Sequence, residues 1–222
     1  AASDVQSPFD NMAWQMFVAL NWQASQPGGN PKSGLSGAGK TVWQTYSRPE
    51  DVFGGPQPSC PNPDNLPRFN LIAKSGAQSG HEEEFLQATG QPLIDVNGNW
   101  ALFERRLNDV EKDYIVEHGL DGLAGQQVFA LNGNVVAFPI GEMSKPNGQV
   151  GAMEMKASWR IVSATEASKY FSMRALIDVE GRYVSDGKPL CATVTLGLTG
   201  LHIIQNNGTE GALRPQFIWA SF

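Results

Sequence analysis

Met153-Glu154-Met155-Lys156-Ala157-Ser158-Trp159-Arg160-Ile161 alternates apolar and polar side chains along its whole length. Successive side chains of an extended chain leave opposite faces. Met153, Met155, Ala157, Trp159 and Ile161 therefore share one face, and Glu154, Lys156, Ser158 and Arg160 share the other. A helix would scatter this pattern around its axis, so the spacing predicts a half-buried β-strand over residues 152–162.

Working outward, strand-like runs recur at 135–140, 172–179, 192–205 and 216–222, separated by Asn132-Gly133, Pro146-Asn147-Gly148, Asp186-Gly187 and Asn207-Gly208. Such spacing, with turn residues between, belongs to a sandwich or a strongly curved sheet. Upstream, residues 92–95 and 100–107 flank Asn97-Gly98 and read as a hairpin. Val42 to Tyr46 reads as a short strand, and the prolines of residues 54–67 exclude regular structure there. Two helices complete the pattern. Phe9 to Trp22 has apolar residues at 9, 12, 13, 16, 17 and 20, after a Ser7-Pro8 start. Asp109 to His118 is expected to be capped by Asp109 and ended by Gly119. The fold class is α+β and β-rich: an antiparallel sandwich or curved sheet with an N-terminal helix and one mid-chain helix, in a single domain over residues 1–222.

The composition narrows the partners. With 41% hydrophobic and 17% charged residues, the chain can build a core without a staple. Its net charge is −6, and its longest basic run is Arg105-Arg106. Neither nucleic acid nor an anionic lipid surface is expected as a partner, because both require clustered positive charge. No segment reaches the roughly 20 apolar residues of a membrane helix. Ala1-Ala2-Ser3-Asp4 has the form of a mature end left by signal peptidase, which points to a periplasmic or secreted protein. Cys60 and Cys191 can pair in such a compartment; the other reading is two unrelated thiols, one exposed and one buried. The apolar run 216–222 ends without a polar tail, so the chain is expected to continue as the N-terminal part of a longer protein.

Gly34-Leu35-Ser36-Gly37-Ala38-Gly39-Lys40-Thr41 matches a phosphate-binding loop. That loop needs a buried strand before it and a helix opening at its lysine. Here a Pro/Gly/Ser-rich stretch leads in and Val42-Trp43-Gln44-Thr45-Tyr46 follows, so nucleotide binding is rejected.

His81 beside Glu82, Glu83 and Glu84 has no second histidine at helical spacing. It reads as a solvated acidic segment, and no metal or cofactor is assigned. His118 complements the dipole at its helix end. His202 lies in an apolar run, where an imidazole needs a partner. Glu104 and Arg106 share a face with Trp100 and Leu102. Charges of both signs on neighbouring strands form either a solvated network or the lining of a polar site. The candidate ligand-binding residues are Arg106, Lys156, Arg160 and Trp159, and the candidate catalytic residues are Glu104, Glu154 and His202.

Four segments resemble a group of exported bacterial proteins loosely labelled cytochrome c family. They are Phe9 with Trp14-Gln15-Met16-Phe17-Val18-Ala19-Leu20-Asn21-Trp22; Val42-Trp43 with Asp51-Val52-Phe53; Glu154 to Arg160; and Gly200-Leu201-His202-Ile203 with 215–222. The resemblance implies export and a chain that runs on, and no catalytic residue. The haem label has no counterpart here, because the chain lacks Cys-x-x-Cys-His. Two functional readings follow. The first is an exported non-enzymatic binding or accessory domain recognising a protein partner or a polar ligand such as a glycan. The second is a periplasmic hydrolase using Glu104 and Glu154 as acid and base.

Overall fold

The computed structural model describes residues 6–25, 39–55, 57–71, 93–141, 149–207 and 217–222. It is an α+β fold built on a six-stranded mixed sheet. The elements are α1 (Gln6–Asn21), α2 (Pro49–Phe53), β1 (Arg68–Leu71), β2 (Leu102–Leu107), α3 (Asp109–Glu117), α4 (Leu123–Leu131), β3 (Met153–Ile161), β4 (Ser172–Val179), β5 (Leu190–Asn206) and β6 (Phe217–Ser221). The strand order is β1-β4-β5-β3-β2, and β6 also pairs with β5. β4 and β6 each run antiparallel to β5. β1 runs parallel to β4, with Arg68 opposite Leu176 and Asn70 opposite Asp178, so the sheet is not wholly antiparallel as expected.

The chain forms two compact units. The first comprises Ala1–Phe53, Arg105–Met155 and His202–Phe222, and the second Gly54–Glu104 and Lys156–Leu201. In the second unit, β4 is buried from Ala175 to Val179, so its end is covered on both faces. Cys60 and Cys191 form a disulfide there.

The decisive strand has the expected alternation. Met153, Met155, Ala157 and Trp159 are buried, while Glu154, Lys156, Ser158 and Arg160 are half-buried. α3 also forms, but its cap is Asn108 rather than Asp109. Asn108 is buried, and its Oδ1 accepts from the amides of Glu111 at 3.0 Å and Met153 at 3.1 Å. Its Nδ2 donates to the Gly151 carbonyl at 2.9 Å. A side chain that satisfies a helix start and a strand start together outweighs the one-residue-later aspartate. Gly119 ends the helix at φ +65°, as its lack of Cβ allows.

Two expectations fail. Val42 to Tyr46 is not a strand but contains a 3₁₀ turn over Trp43–Thr45. The amide and hydroxyl of Thr41 both donate to Gln44 Oε1, at 3.0 and 3.2 Å, and the Thr45 hydroxyl donates to the Val42 carbonyl at 2.6 Å. These local bonds compete with a ladder. Residues 135–140 form no strand, and the helix α4 before them was not anticipated. The hairpin over 92–107 keeps its turn, with Ile94 bridged to Trp100 and Gly98 at φ +80°, although Pro92 lies outside the described residues.

Candidate ligand-binding site

Most of the residues singled out in the sequence are engaged in holding the fold. Trp159 is wholly buried and donates from Nε1 to Glu104 Oε2 at 3.2 Å. A side chain with no exposed surface cannot touch a ligand, so Trp159 is a core residue rather than a binding residue. Glu104 is 4% exposed and lies with Trp159. Glu154 projects from the opposite, half-buried face of β3.

Arg160 reaches Asp95 at 3.3 Å and the Tyr170 hydroxyl at 3.4 Å. The Asp95 carboxyl is held below its usual range first by the Asn99 amide, and further by the Asn97 amide and the Arg160 charge. Arg160 thus pins the turn of the hairpin. Lys156 stands over the Phe103 ring, 5.6 Å from its centroid, in a cation–π contact. Arg106 donates to the Tyr46 carbonyl at 2.8 Å. Tyr46 itself is pushed up to about 12 by burial and by the nearby Asp109 charge. His118 closes α3, stacked on Tyr114 with Nδ1 2.9 Å from the Tyr114 carbonyl. The residues from Gly34 to Ala38, and His81 with its three glutamates, lie outside the described residues. The segment after Lys40 makes one 3₁₀ turn instead of the helix that a phosphate loop opens.

The carboxylate that does interact with Glu154 is Glu111. It lies in the first turn of α3, where the helix dipole favours a negative charge. It is nevertheless only 6% exposed, and its Oε2 is buried without a hydrogen-bond partner among the described residues. Desolvation, assisted by repulsion from Glu154, pushes its pKa up to about 7. The folded state then binds a proton more tightly than the unfolded chain between about pH 4.5 and 7. Stability falls as pH rises through that window and the loss is complete above it. Glu111→Gln is expected to be more stable than the parent by about 2 kcal/mol at pH 8, with the difference shrinking towards pH 4.5. Urea midpoints of both proteins across that range measure this; equal pH dependence in the two would refute it.

A concave surface of the first unit lies away from these residues. A cleft of about 530 Å³ is lined by α1, including Phe9, Asp10 and Trp14, and by the consecutive residues Ile218 to Phe222. Its size is that of a small-ligand site. Trp14 and Trp219 are 59% and 64% exposed, although indole rings are normally covered. Phe222 packs on Trp14 and Phe17, with centroids 5.0 and 4.6 Å apart, which fixes one wall.

The other wall is ordered through His202. The Trp219 indole N–H donates to His202 Nδ1 at 3.1 Å, and Ser221 Oγ lies 2.7 Å from the same nitrogen. An indole nitrogen can only donate, so Nδ1 is the acceptor in its contact with Trp219. His202 thus has the partner its position required, and it orients an exposed tryptophan.

Sequence reasoning missed this cleft. A signal was present: Trp14 is a large apolar residue that falls off the apolar stripe of α1, and it lines the cleft beside Phe9, Met12 and Met16 of that stripe. Apolar side chains off a helix's buried stripe mark a second contact surface. Comparison with protein-family models, with curated proteins and with solved structures finds no match.

Proposed function

We propose that this chain is an exported binding domain that recognises a protein partner or a polar ligand through the cleft between α1 and β6. The observation that carries the reading is the pair of exposed tryptophans, Trp14 and Trp219, on a concave surface that also presents Asp10 and Ser221. Aromatic rings give large contact area at low entropic cost, and a few polar groups fix orientation. The His202 bond to Trp219 holds one ring in place before binding, which reduces the ordering cost. The Cys60–Cys191 disulfide supports an oxidising compartment.

The test is a screen of the purified chain against an array of glycans and a displayed library of random dodecapeptides. At least one class of ligand is expected to bind the parent. A Trp14→Ala/Trp219→Ala variant with an unchanged circular dichroism spectrum is expected to bind it at least tenfold more weakly, as truncated aromatic anchors do. Absence of binding in both screens, or equal binding by the variant, would remove the proposal.

A further inference from the structure

The cleft is lined by five consecutive residues, Ile218 to Phe222. A sheet face would contribute every second residue, because side chains alternate. Consecutive lining means that the edge of β6, with its backbone, opens on the cleft.

The register shows which backbone groups point there. The Asn206 amide donates to the Ala152 carbonyl at 2.9 Å, and the Asn206 carbonyl accepts from the Gly141 amide at 3.2 Å. The N–H and C=O of one residue in an antiparallel strand point the same way. Asn206 therefore directs both away from β6, and its opposite number Phe217 forms a non-hydrogen-bonded pair with it. Alternation then makes Gln205–Ile218 and Ile203–Ala220 the hydrogen-bonded pairs, and leaves Ile204–Trp219 and His202–Ser221 non-bonded. The short His202–Ser221 side-chain bond agrees, since side chains are closest in non-bonded pairs. Phe217, Trp219 and Ser221 consequently aim their backbone groups outward. β6 pairs only with β5 among the described residues.

We infer that this edge takes up an extended peptide of a partner protein, which adds antiparallel or parallel to β6 as a further strand. This rests on the binding reading above and names the ligand class of the same cleft. Outward N–H and C=O groups repeating every second residue match the backbone of an extended chain, and a peptide is the ligand that presents that repeat. Trp14 and Phe9 on α1 offer apolar contacts to its alternate side chains. The whole chain carries −6, so a peptide with a basic residue is favoured. Long open edges are normally blunted by lysine, proline or a bulge. Phe217-Ile218-Trp219-Ala220-Ser221 contains none of the first two.

The probes are the dodecapeptides enriched from the random library, synthesised in three forms: unmodified, and N-methylated on either of the two alternating sets of backbone amides. Strand addition uses one set only. One methylated form is expected to bind at least tenfold more weakly and the other to bind like the parent peptide. Hydrogen exchange should slow at the amides of Trp219 and Ser221, while Ile218 and Ala220 are protected with or without peptide. Ser221→Pro, which removes an outward donor and leaves the β5 ladder intact, should weaken binding to a similar degree.

Equal loss in both methylated forms, or no slowing at Trp219 and Ser221, would overturn strand addition. Glycan hits lost in the Trp14/Trp219 variant, without any enriched peptide, would overturn it while leaving the binding reading standing. Silence in both screens would remove both.

Discussion

Unfolding of a Cys60→Ser/Cys191→Ser variant in urea is expected to show a loss of about 2 to 5 kcal/mol relative to the oxidised parent. The two cysteines are 131 residues apart in sequence. Closing a loop of that length removes much freedom from the unfolded chain, and the chain-entropy model gives roughly 5 kcal/mol as the gain. Residual structure in the unfolded state lowers what is measured. Native contacts act in the same direction. Cys60 is buried, in a loop from Gln57 to Pro67 that has no ladder of its own. Cys191 lies in β5 directly opposite Asp178 of β4. The bond therefore ties an irregular, proline-rich segment to the edge of a regular strand pair. A midpoint unchanged by the double substitution, or by dithiothreitol in the parent, would contradict this. A change in slope as well would mean that the second unit has unfolded by itself.

That loop illustrates what could be read from residue order. The prolines predicted its irregularity, because each removes an amide donor and fixes φ. Its attachment through Cys191 was one of two open readings, and its bonds to Asp178 were not legible, because that carboxylate lies more than a hundred residues away. The same division runs through the molecule. β3 and much of β5 were legible because a period of two is written into their side chains, and β4 and β6 as short, largely apolar runs near turn residues. α4 was not. Its segment, Leu123-Ala124-Gly125-Gln126-Gln127-Val128-Phe129-Ala130-Leu131, sets Ala124, Val128 and Leu131 at helical spacing, but it is short, carries a glycine in its first turn, and leaves Leu123, Val128 and Leu131 exposed. It is held by its connection to the end of α3. Gln126 Nε2 donates to the Leu120 carbonyl at 2.7 Å, and a Cβ on Gly125 would stand 1.8 Å from the Gly119 carbonyl oxygen. Residues 135–140 read as a strand, but the Phe138 carbonyl accepts from the Asn206 side chain and the Ala137 amide donates to the Tyr114 hydroxyl. Extended conformation was legible; the identity of its hydrogen-bond partners was not.

The candidate site follows the same rule. Glu104 shares its strand face with Leu102, which is buried, and that was a sequence-level sign of a core carboxylate rather than an accessible acid. Its bond to Trp159 satisfies it there. Glu154 was expected to work with Glu104, and the carboxylate that acts on it is Glu111, brought by α3. Charge pairs across elements depend on which elements pack together, and periodicity does not carry that information. Exposed aromatics are different. Trp14 and Trp219 were visible as apolar residues in an acidic, otherwise well-patterned chain, and only their convergence required the fold.

Asp178→Ala is expected to cost about 3 to 5 kcal/mol, comparable with loss of the disulfide. Asp178 is 2% exposed, and its Oδ2 accepts from the amides of Ser59 and Cys60 at 3.1 and 3.2 Å and from the Arg68 guanidinium. Arg68 also donates to the Cys60 carbonyl at 3.0 Å. One carboxylate thus joins β1, β4 and the loop that carries Cys60. Removing it takes a counter-charge from a guanidinium that is only 17% exposed and the acceptor from two amides. The penalty for an uncompensated buried charge is larger than the net value of the pair itself. Asp178→Asn keeps an oxygen for the two amides but offers Arg68 no charge, so about half of the loss should return. The pair and the disulfide grip the same loop, so their effects should not add. Once the disulfide is gone, the loop can move away and Asp178→Ala should cost less, by about 1 to 2 kcal/mol. Urea midpoints of the two variants and their combination measure this coupling. A cost below 1 kcal/mol for Asp178→Ala, or strict additivity with the disulfide, would show that the carboxylate does not organise the loop.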